Sequence, residues 1–423
     1  MRVWIVKTGE PLPVDGENVR LARSGLLADA MCRRGWDVTW WTSSYQQIQR
    51  KQRCAQHTEL KLNSHCRIRV VHAPAYAKNI SAGRVWAEWW LARNFAGLAE
   101  SAETPAVIHC SMPTLDLARA ATRYGSRHRV PVALDIRDLW PDIFVERVPR
   151  VLRPLAPVAL SRFYGSLRKS CASATAILGI TPEFVKWGLQ HSGRPAGSLD
   201  CDFPLAYPER APAPEAIAGA REYWKRLGVT KDRFTVCFLG NFGQLHSGEF
   251  ETVVRTARSL SPESPVQFVL CGDGMNLERY RALAAGLPNV LFPGWVGFAE
   301  AWTLMRLSGA GLIPYQSSPD FMMSIPNKAI EYFSAGLPVV SSIRGKLEGL
   351  LQQQGCGLTY ANQSEESLAG ALAELSGNRG GREQMGRAAL SLYRTKFVAD
   401  TVYGSMADHM ERIARAGRRG GDE

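Results

Sequence analysis

Short apolar runs and amphipathic stretches alternate along this chain. Residues 3–6 (Val-Trp-Ile-Val) have the pattern of a short buried strand. Over 21–34, Ala22, Leu26 and Ala30 recur at four-residue spacing, as do Leu27 and Met31, which predicts a helix. Arg33, Arg34 and Gly35 then end it with basic residues followed by glycine. Further strands are predicted at 38–41, 67–72, 107–109, 132–135 and 176–180. The last runs into Thr181-Pro182-Glu183, an N-cap and first helical turn. Alternation of this kind implies parallel sheets covered by helices on both faces.

The pattern breaks over 200–218, where Pro204, Pro208, Pro212 and Pro214 lie among Ala and Glu, and this reads as a linker. It then restarts with strands at 234–239, 267–271, 290–292, 310–314, 339–342 and 357–360. Helices are predicted at 249–260, around 276–285, at 298–307 and at 326–335, with more to the C-terminus. The expectation is an α/β chain with two doubly wound, Rossmann-like parallel-sheet domains, 1–205 and 206–395, facing a cleft. Open sheets of this type bind ligands beyond the carboxyl ends of their strands.

The 423 residues suffice for two or three cores. The nine cysteines form no C-x-x-C pair, which argues against a disulfide framework or zinc site and for a reducing, cytoplasmic setting. The four apolar residues before Lys7 are too few for a signal peptide. No run approaches the ~18 apolar residues of a membrane span.

Net charge is +12, which suits nucleic acid, an anionic membrane or phosphorylated ligands. Between 147 and 182 there is no Asp or Glu, yet Arg147, Arg150, Arg153, Arg162, Arg168 and Lys169 all occur there. Leu152, Leu155, Leu160, Phe163, Tyr164 and Leu167 are interleaved with them. The segment is either a solvated helix face or a surface that lies on an anionic bilayer. Trp86, Trp89 and Trp90 are either core or interfacial.

The most informative stretch is 326–340, PNKAIEYFSAGLPVV. Pro326 and Lys328 enter a helix whose free N–H groups and partial positive charge suit a phosphate. Glu331, on the same face one turn later, suits the two hydroxyls of a ribose. A capped helix with surface charges is the plainer alternative. Three strand ends carry glycine loops: Gly240-Asn241-Phe242-Gly243, Cys271-Gly272-Asp273-Gly274 and Gly294-Trp295-Val296-Gly297. Neither G-x-G-x-x-G nor G-x-x-x-x-G-K-[ST] occurs, which disfavours a dinucleotide oxidoreductase or a P-loop NTPase.

With Asp135-Ile136-Arg137-Asp138-Leu139-Trp140-Pro141 and Ser324-Ile325-Pro326-Asn327-Lys328, these motifs resemble a bacterial family 4 glycosyltransferase of the GT-B fold. The resemblance spans nearly the whole chain. It is nearest to the fucosaminyltransferase-like branch of surface-polysaccharide (O-antigen, capsule, lipopolysaccharide) biosynthesis. It implies a UDP-sugar donor, such as an N-acetylated or deoxy hexosamine, a polyprenyl-diphosphate-linked glycan acceptor, and retention of configuration. It implies no cofactor and no metal, and a cytoplasmic enzyme peripheral on the inner membrane face.

The implied roles are specific. Glu331 holds the ribose, Lys328 the pyrophosphate, and Gly240, Asn241 and Gly243 the distal phosphate. Gly272, Asp273, Trp295, Val296, Ser324, Ile325 and Pro326 complete the donor site. Gly9, Gly16 and Glu17 belong to a mobile acceptor loop, and Arg137 and Asp138 face the reacting sugar. A final helix, 396–423, crosses back to the first domain. Two departures stand out. The family's sugar-contacting glutamate is here Met323, and its phosphate-binding Arg and Lys are replaced by Asn241 and, near the second position, His246.

Asp200-Cys201-Asp202 has the D-x-D spacing of a metal motif, but at the linker it reads as coincidence. The alternatives are a nucleotide-sugar hydrolase or epimerase of the same fold, which acceptor dependence would separate, and a basic nucleic-acid-binding protein. The last lacks any helix-turn-helix, zinc-finger or RNP pattern.

Overall fold

Val3 to Val6 are buried because β1 (Arg2–Val6) lies inside a parallel sheet. The computed structural model describes residues 1–16, 19–47, 49–78, 80–146, 148–230, 232–243, 247–261 and 263–419. The chain divides into two units, Met1–Pro204 with the last segment from Ala399, and Leu205–Val398.

In the first unit β2 (Asp37–Ser43), β6 (Cys66–Val71), β7 (Val107–Ser111), β8 (Val132–Ile136), β9 (Ala176–Gly179) and β10 (Cys201–Asp202) join β1. With the antiparallel edge strand β5 (Thr58–Lys61), the sheet order is β10-β9-β8-β7-β1-β2-β6-β5. A small ladder of β3 (Tyr45–Gln46) and β4 (Lys51–Gln52) lies outside it. The strand order reverses between β1 and β7, and the core there is aromatic. Trp4 meets Trp41 at 5.1 Å and Tyr124 at 4.8 Å, and Trp41 meets Phe95 edge-on at 5.1 Å. Such pairs add to the burial of their large apolar surfaces.

The second unit holds β11 (Phe234–Asn241), β12 (Val266–Asp273), β13 (Val290–Gly294), β14 (Ala310–Ile313), β15 (Val339–Ser341) and β16 (Gly357–Thr359). Their order is β13-β12-β11-β14-β15-β16, all parallel, with the reversal between β11 and β14. Both units are therefore parallel-sheet, Rossmann-like folds.

Residues 200–218 are more structured than a linker. Cys201–Asp202 extends the first sheet, and Pro214 opens the helix Pro214–Arg226, where its missing N–H costs nothing. The prolines that suggested a linker do span the boundary between the units at Pro204/Leu205, but Pro214 marks a helix start. Asp200 is spent locally. Arg194 donates to both of its oxygens at 2.7 Å, and the N–H groups of Ile177 and Gly197 donate at 2.7 Å each.

The last helix, Ala399–Arg419, packs in the first unit. Met406, Ala407, Met410 and Ile413 are buried along one face. Arg33 pairs with Asp400 at 2.7 Å and Arg34 with Asp408 at 2.9 Å. The second unit begins and ends at neighbouring points, since Tyr207 N–H donates to Phe397 C=O at 3.0 Å. Among the described residues no helix is long and apolar enough to cross a membrane.

Candidate functional site

In the second unit, β11 and β12 run in register to their last residues, pairing Gly240 with Gly272 and Asn241 with Asp273. Gly272 has φ +136°, and a Cβ there would run into the carbonyl of Gly240. Gly274 has φ +152°, and a Cβ would come within 2.7 Å of the backbone of Phe242. The two glycine loops are thus one surface, open because neither strand carries side chains at the crossing. On the other side of β12, Cys271 pairs with Gly294, which brings in the Trp295–Val296 loop.

Lys328 reaches this surface from the helix Asn327–Ser334. Its ammonium donates to Leu239 C=O and lies 5.2 Å from the centre of the Phe238 ring. A Cβ on Gly240 would collide with it. Pro326 is the residue before the helix, with extended φ/ψ, rather than its first turn. No side chain caps this end.

Tyr332 fixes the helix over the β11/β14 reversal. Its hydroxyl accepts from Leu239 N–H at 3.3 Å and lies 3.4 Å and 3.3 Å from the carbonyls of Cys237 and Leu312. The ring needs Gly311, where a Cβ would enter it. Glu331 is buried beside it. Burial first, and then the Glu331 carboxylate, push the phenol of Tyr315 above its usual range. Helix, carboxylate and cation therefore sit where an open α/β sheet receives a ligand.

Ser324 is buried and its N–H donates to Phe321 C=O at 3.2 Å, while Ile325 packs on the core. Met323 follows the short helix Pro319–Met322, and Gly345 backs onto Met322, 2.5 Å from its carbonyl oxygen to an added Cβ. Trp295 is 79% exposed.

In the first unit, the β1/β7 reversal is bridged by Lys7, whose ammonium donates to Met112 C=O at 3.1 Å. Burial, then the charge of Arg137, pulls this amine down to about 8, against the opposing pull of Glu10, Asp135 and Asp138. Glu10 accepts from Arg137, from Ser24 N–H at 3.0 Å and from Ser24 Oγ–H at 3.2 Å. Burial would raise its carboxyl, but Arg137 and Lys7 outweigh that and hold it below the usual range. Asp138 accepts from Leu139 N–H at 2.9 Å.

Asp135 lies beneath. It forms a two-bond pair with Arg23, 2.9 Å each, both side chains fully buried, and accepts from Ser111 at 2.9 Å. Burial pushes its carboxyl up, but Arg23 holds it well below the usual carboxylate value. Arg23 also donates to Phe203 and Pro204 C=O, at 2.9 and 3.0 Å.

Gly9 has φ +76°, which favours glycine. The loop through Gly16 is fastened at Asp15, which accepts from Leu12 N–H at 2.8 Å and from Arg53 at 2.7 and 2.6 Å. Glu17, Arg147 and His246 lie outside the described residues. Among the described residues no three His, Cys, Asp or Glu side chains come together to hold a metal.

The structure thus gathers Gly240, Asn241, Gly243, Gly272, Asp273 and Lys328 in one unit, and Gly9, Arg137 and Asp138 in the other. Sequence reasoning missed Lys7, Glu10 and Arg23. The available signals were a lysine directly after a buried strand and an arginine inside an apolar helix.

Residues 22–199 match the family described as Glycosyl transferase 4-like domain, and 233–378 match Glycosyl transferases group 1. No curated protein matches the chain. Among solved structures, the sucrose-phosphate synthase of Thermosynechococcus elongatus is 15% identical with TM-score 0.72, covering 98% of this chain and 99% of that one. Anabaena HepE, solved with UDP-glucose, is 13% identical with TM-score 0.66, covering 97% and 100%. WaaG, a glycosyltransferase involved in lipopolysaccharide biosynthesis, is 15% identical with TM-score 0.64, covering 97% and 99%.

Proposed function

Because the chain is a glycosyltransferase of the family 4, GT-B type, we propose that it transfers a sugar from UDP to a lipid-linked glycan, with retention, in surface-polysaccharide biosynthesis. One observation carries the donor reading. Lys328 lies against the end of β11, beside the paired Gly240 and Gly272, with Glu331 one turn behind it. An ammonium and unpaired helix N–H groups stabilise the negative charge that develops on a leaving diphosphate. A buried carboxylate, an acceptor only, suits ribose hydroxyls. HepE, solved with UDP-glucose, supports a uridine nucleotide as the donor's handle.

In this reading Lys328 replaces the loop cations that Asn241 and His246 lack, and transfer needs no metal or other cofactor. Arg137 is held by Glu10, beside Lys7 and Asp138; in this reading its guanidinium serves the sugar and the Asp138 carboxylate the acceptor hydroxyl. The donor sugar is an N-acetylated or deoxy hexosamine. The acceptor, a polyprenyl-diphosphate-linked glycan, is met at the inner membrane face. The surface-polysaccharide role draws support from the likeness to WaaG.

A panel of UDP-hexoses, N-acetylhexosamines and deoxy-N-acetylhexosamines, offered with polyprenyl-diphosphate-linked sugars and read by mass spectrometry, tests the assignment. Consumption of the UDP-sugar at the same rate without acceptor would make the enzyme a hydrolase or epimerase. The anomeric coupling of the product by NMR decides retention, and an inverted product overturns it. Activity is expected to survive EDTA.

A further inference from the structure

Among the described residues, the segment after Trp140 leaves large aliphatic side chains exposed. Val151 is 85% exposed, Leu152 49%, Leu155 64% and Val158 74%. All four lie in the 3-10 helix Arg150–Leu155 and the short helix Ala156–Ala159 that continues it. A soluble monomer seldom concentrates large exposed aliphatic side chains in so short a stretch. The start of the segment is tied to the residues just before it. Arg153 donates to Glu146 C=O at 2.7 Å and to Val148 C=O at 3.2 Å, closing the turn from within.

The surroundings select the occupant. The sequence from 147 to 182 holds no acidic residue, and on the next helix, Ser161–Ser173, Arg168 and Lys169 are exposed, as is Arg162, which pairs with Asp116 at 3.2 Å. The first turn of the helix Ala82–Glu100 is fastened to the chain that precedes this segment. Arg84 lies 4.3 Å from the Trp140 ring centre, and Trp140 meets Phe144 edge-on at 4.5 Å. Trp86, two residues after Arg84, is 53% exposed and stacked on Trp89. Aliphatic tips, a tryptophan and surrounding cations match an anionic bilayer, with acyl chains below and negative headgroups at the rim.

We propose that Val151, Leu152, Leu155 and Val158 form a wedge that inserts into an anionic membrane surface, with the neighbouring arginines and lysine meeting lipid headgroups. The inference rests on the reading of a membrane-borne acceptor and names the element that meets the membrane. It differs from docking by charge alone, because insertion of aliphatic side chains persists when salt screens the headgroups.

The test uses the full chain, vesicles of phosphatidylcholine with and without phosphatidylglycerol, and the double variant Leu155→Asp/Val158→Asp. Both positions are exposed, so the melting temperature and UDP affinity are expected to stay at wild-type values. Wild type is expected to float with the anionic vesicles, to be weakened by high salt, and to remain measurably bound. The double variant is expected to bind about tenfold more weakly or worse, while Leu155→Met/Val158→Ile binds as wild type does. Equal binding by the Asp variant and wild type overturns the wedge and leaves membrane docking to another surface. Binding abolished by salt alone overturns it in favour of charge. A wild-type chain that floats with neither vesicle overturns both the wedge and the membrane reading, and the UDP-sugar assay then judges transferase activity by itself. A wild-type dimer that the Asp variant dissolves shows the patch to be covered by a second copy, which overturns it too.

Discussion

Gly240 and Gly272 stand opposite each other at the ends of neighbouring parallel strands, so close that a Cβ on Gly272 would meet the carbonyl of Gly240. Gly272→Ala therefore suffers both a clash and a disfavoured φ of +136°. Gly286, at φ +79°, has nothing within 4 Å of its added Cβ. Gly286→Ala is expected to cost only the backbone term, about 1–2 kcal/mol. Gly272→Ala adds about 1–3 kcal/mol of overpacking and lowers UDP affinity, which Gly286→Ala leaves alone. Thermal unfolding and calorimetry with UDP measure both, and equal losses would refute the crossing.

Glu331→Gln is expected to weaken UDP binding by about 1.5–3 kcal/mol, the worth of hydrogen bonds to a charged acceptor. Lys328→Ala should reduce affinity for UDP and hardly change that for uridine. Calorimetry with both ligands separates the roles. A Lys328 variant that loses uridine as well would mean the helix has moved and no phosphate contact was read.

Asp135→Asn leaves the fully buried Arg23 guanidinium without its counter-charge. Removing one partner of such a pair typically costs about 3–5 kcal/mol. Arg23→Met/Asp135→Leu should recover much of that loss, because neither charge then remains. Urea unfolding of the first unit is the measurement, and a loss under about 1 kcal/mol would show water reaching the pair.

Lys7 gives a pH signature. Below about pH 8 it is charged in the folded and the unfolded chain alike. Between about 8 and the usual lysine value of 10.5, the unfolded chain keeps a proton that the folded chain has released. The unfolded state then binds more protons, so stability from this group rises with pH across that window. Wild type should gain on Lys7→Met by at most about 3 kcal/mol between pH 8 and 10.5. Parallel stability curves for the two proteins would place Lys7 in water.

The alternation of strands and helices was legible because apolar runs such as Val3–Val6 and Phe234–Leu239 are bounded by polar turns, and burial demands that pattern. Lys328 and Glu331 were legible because one helical turn separates them. Their contacts were not. The partner of Lys328 is a carbonyl 89 positions away, and Arg23 finds Asp135 across 112. Local spacing says nothing about such distances. Pro214 misled because proline opens helices as readily as it breaks them. For the segment around 151–158 the sequence left a solvated helix face and a membrane-facing surface both open, since spacing alone does not say which side chains the fold leaves exposed.

Residues 399–419 complete the first unit after the second has been made. A ribosome therefore finishes Leu205–Val398 while the earlier unit still lacks a helix that buries Met406, Met410 and Ile413. The usual order of folding, first domain first, is expected to be inverted here. The guest domain can settle during translation, while its host must await residues 399–414. A stop codon between Val398 and Met406 is thus expected to destabilise the beginning of the protein rather than merely trim its end.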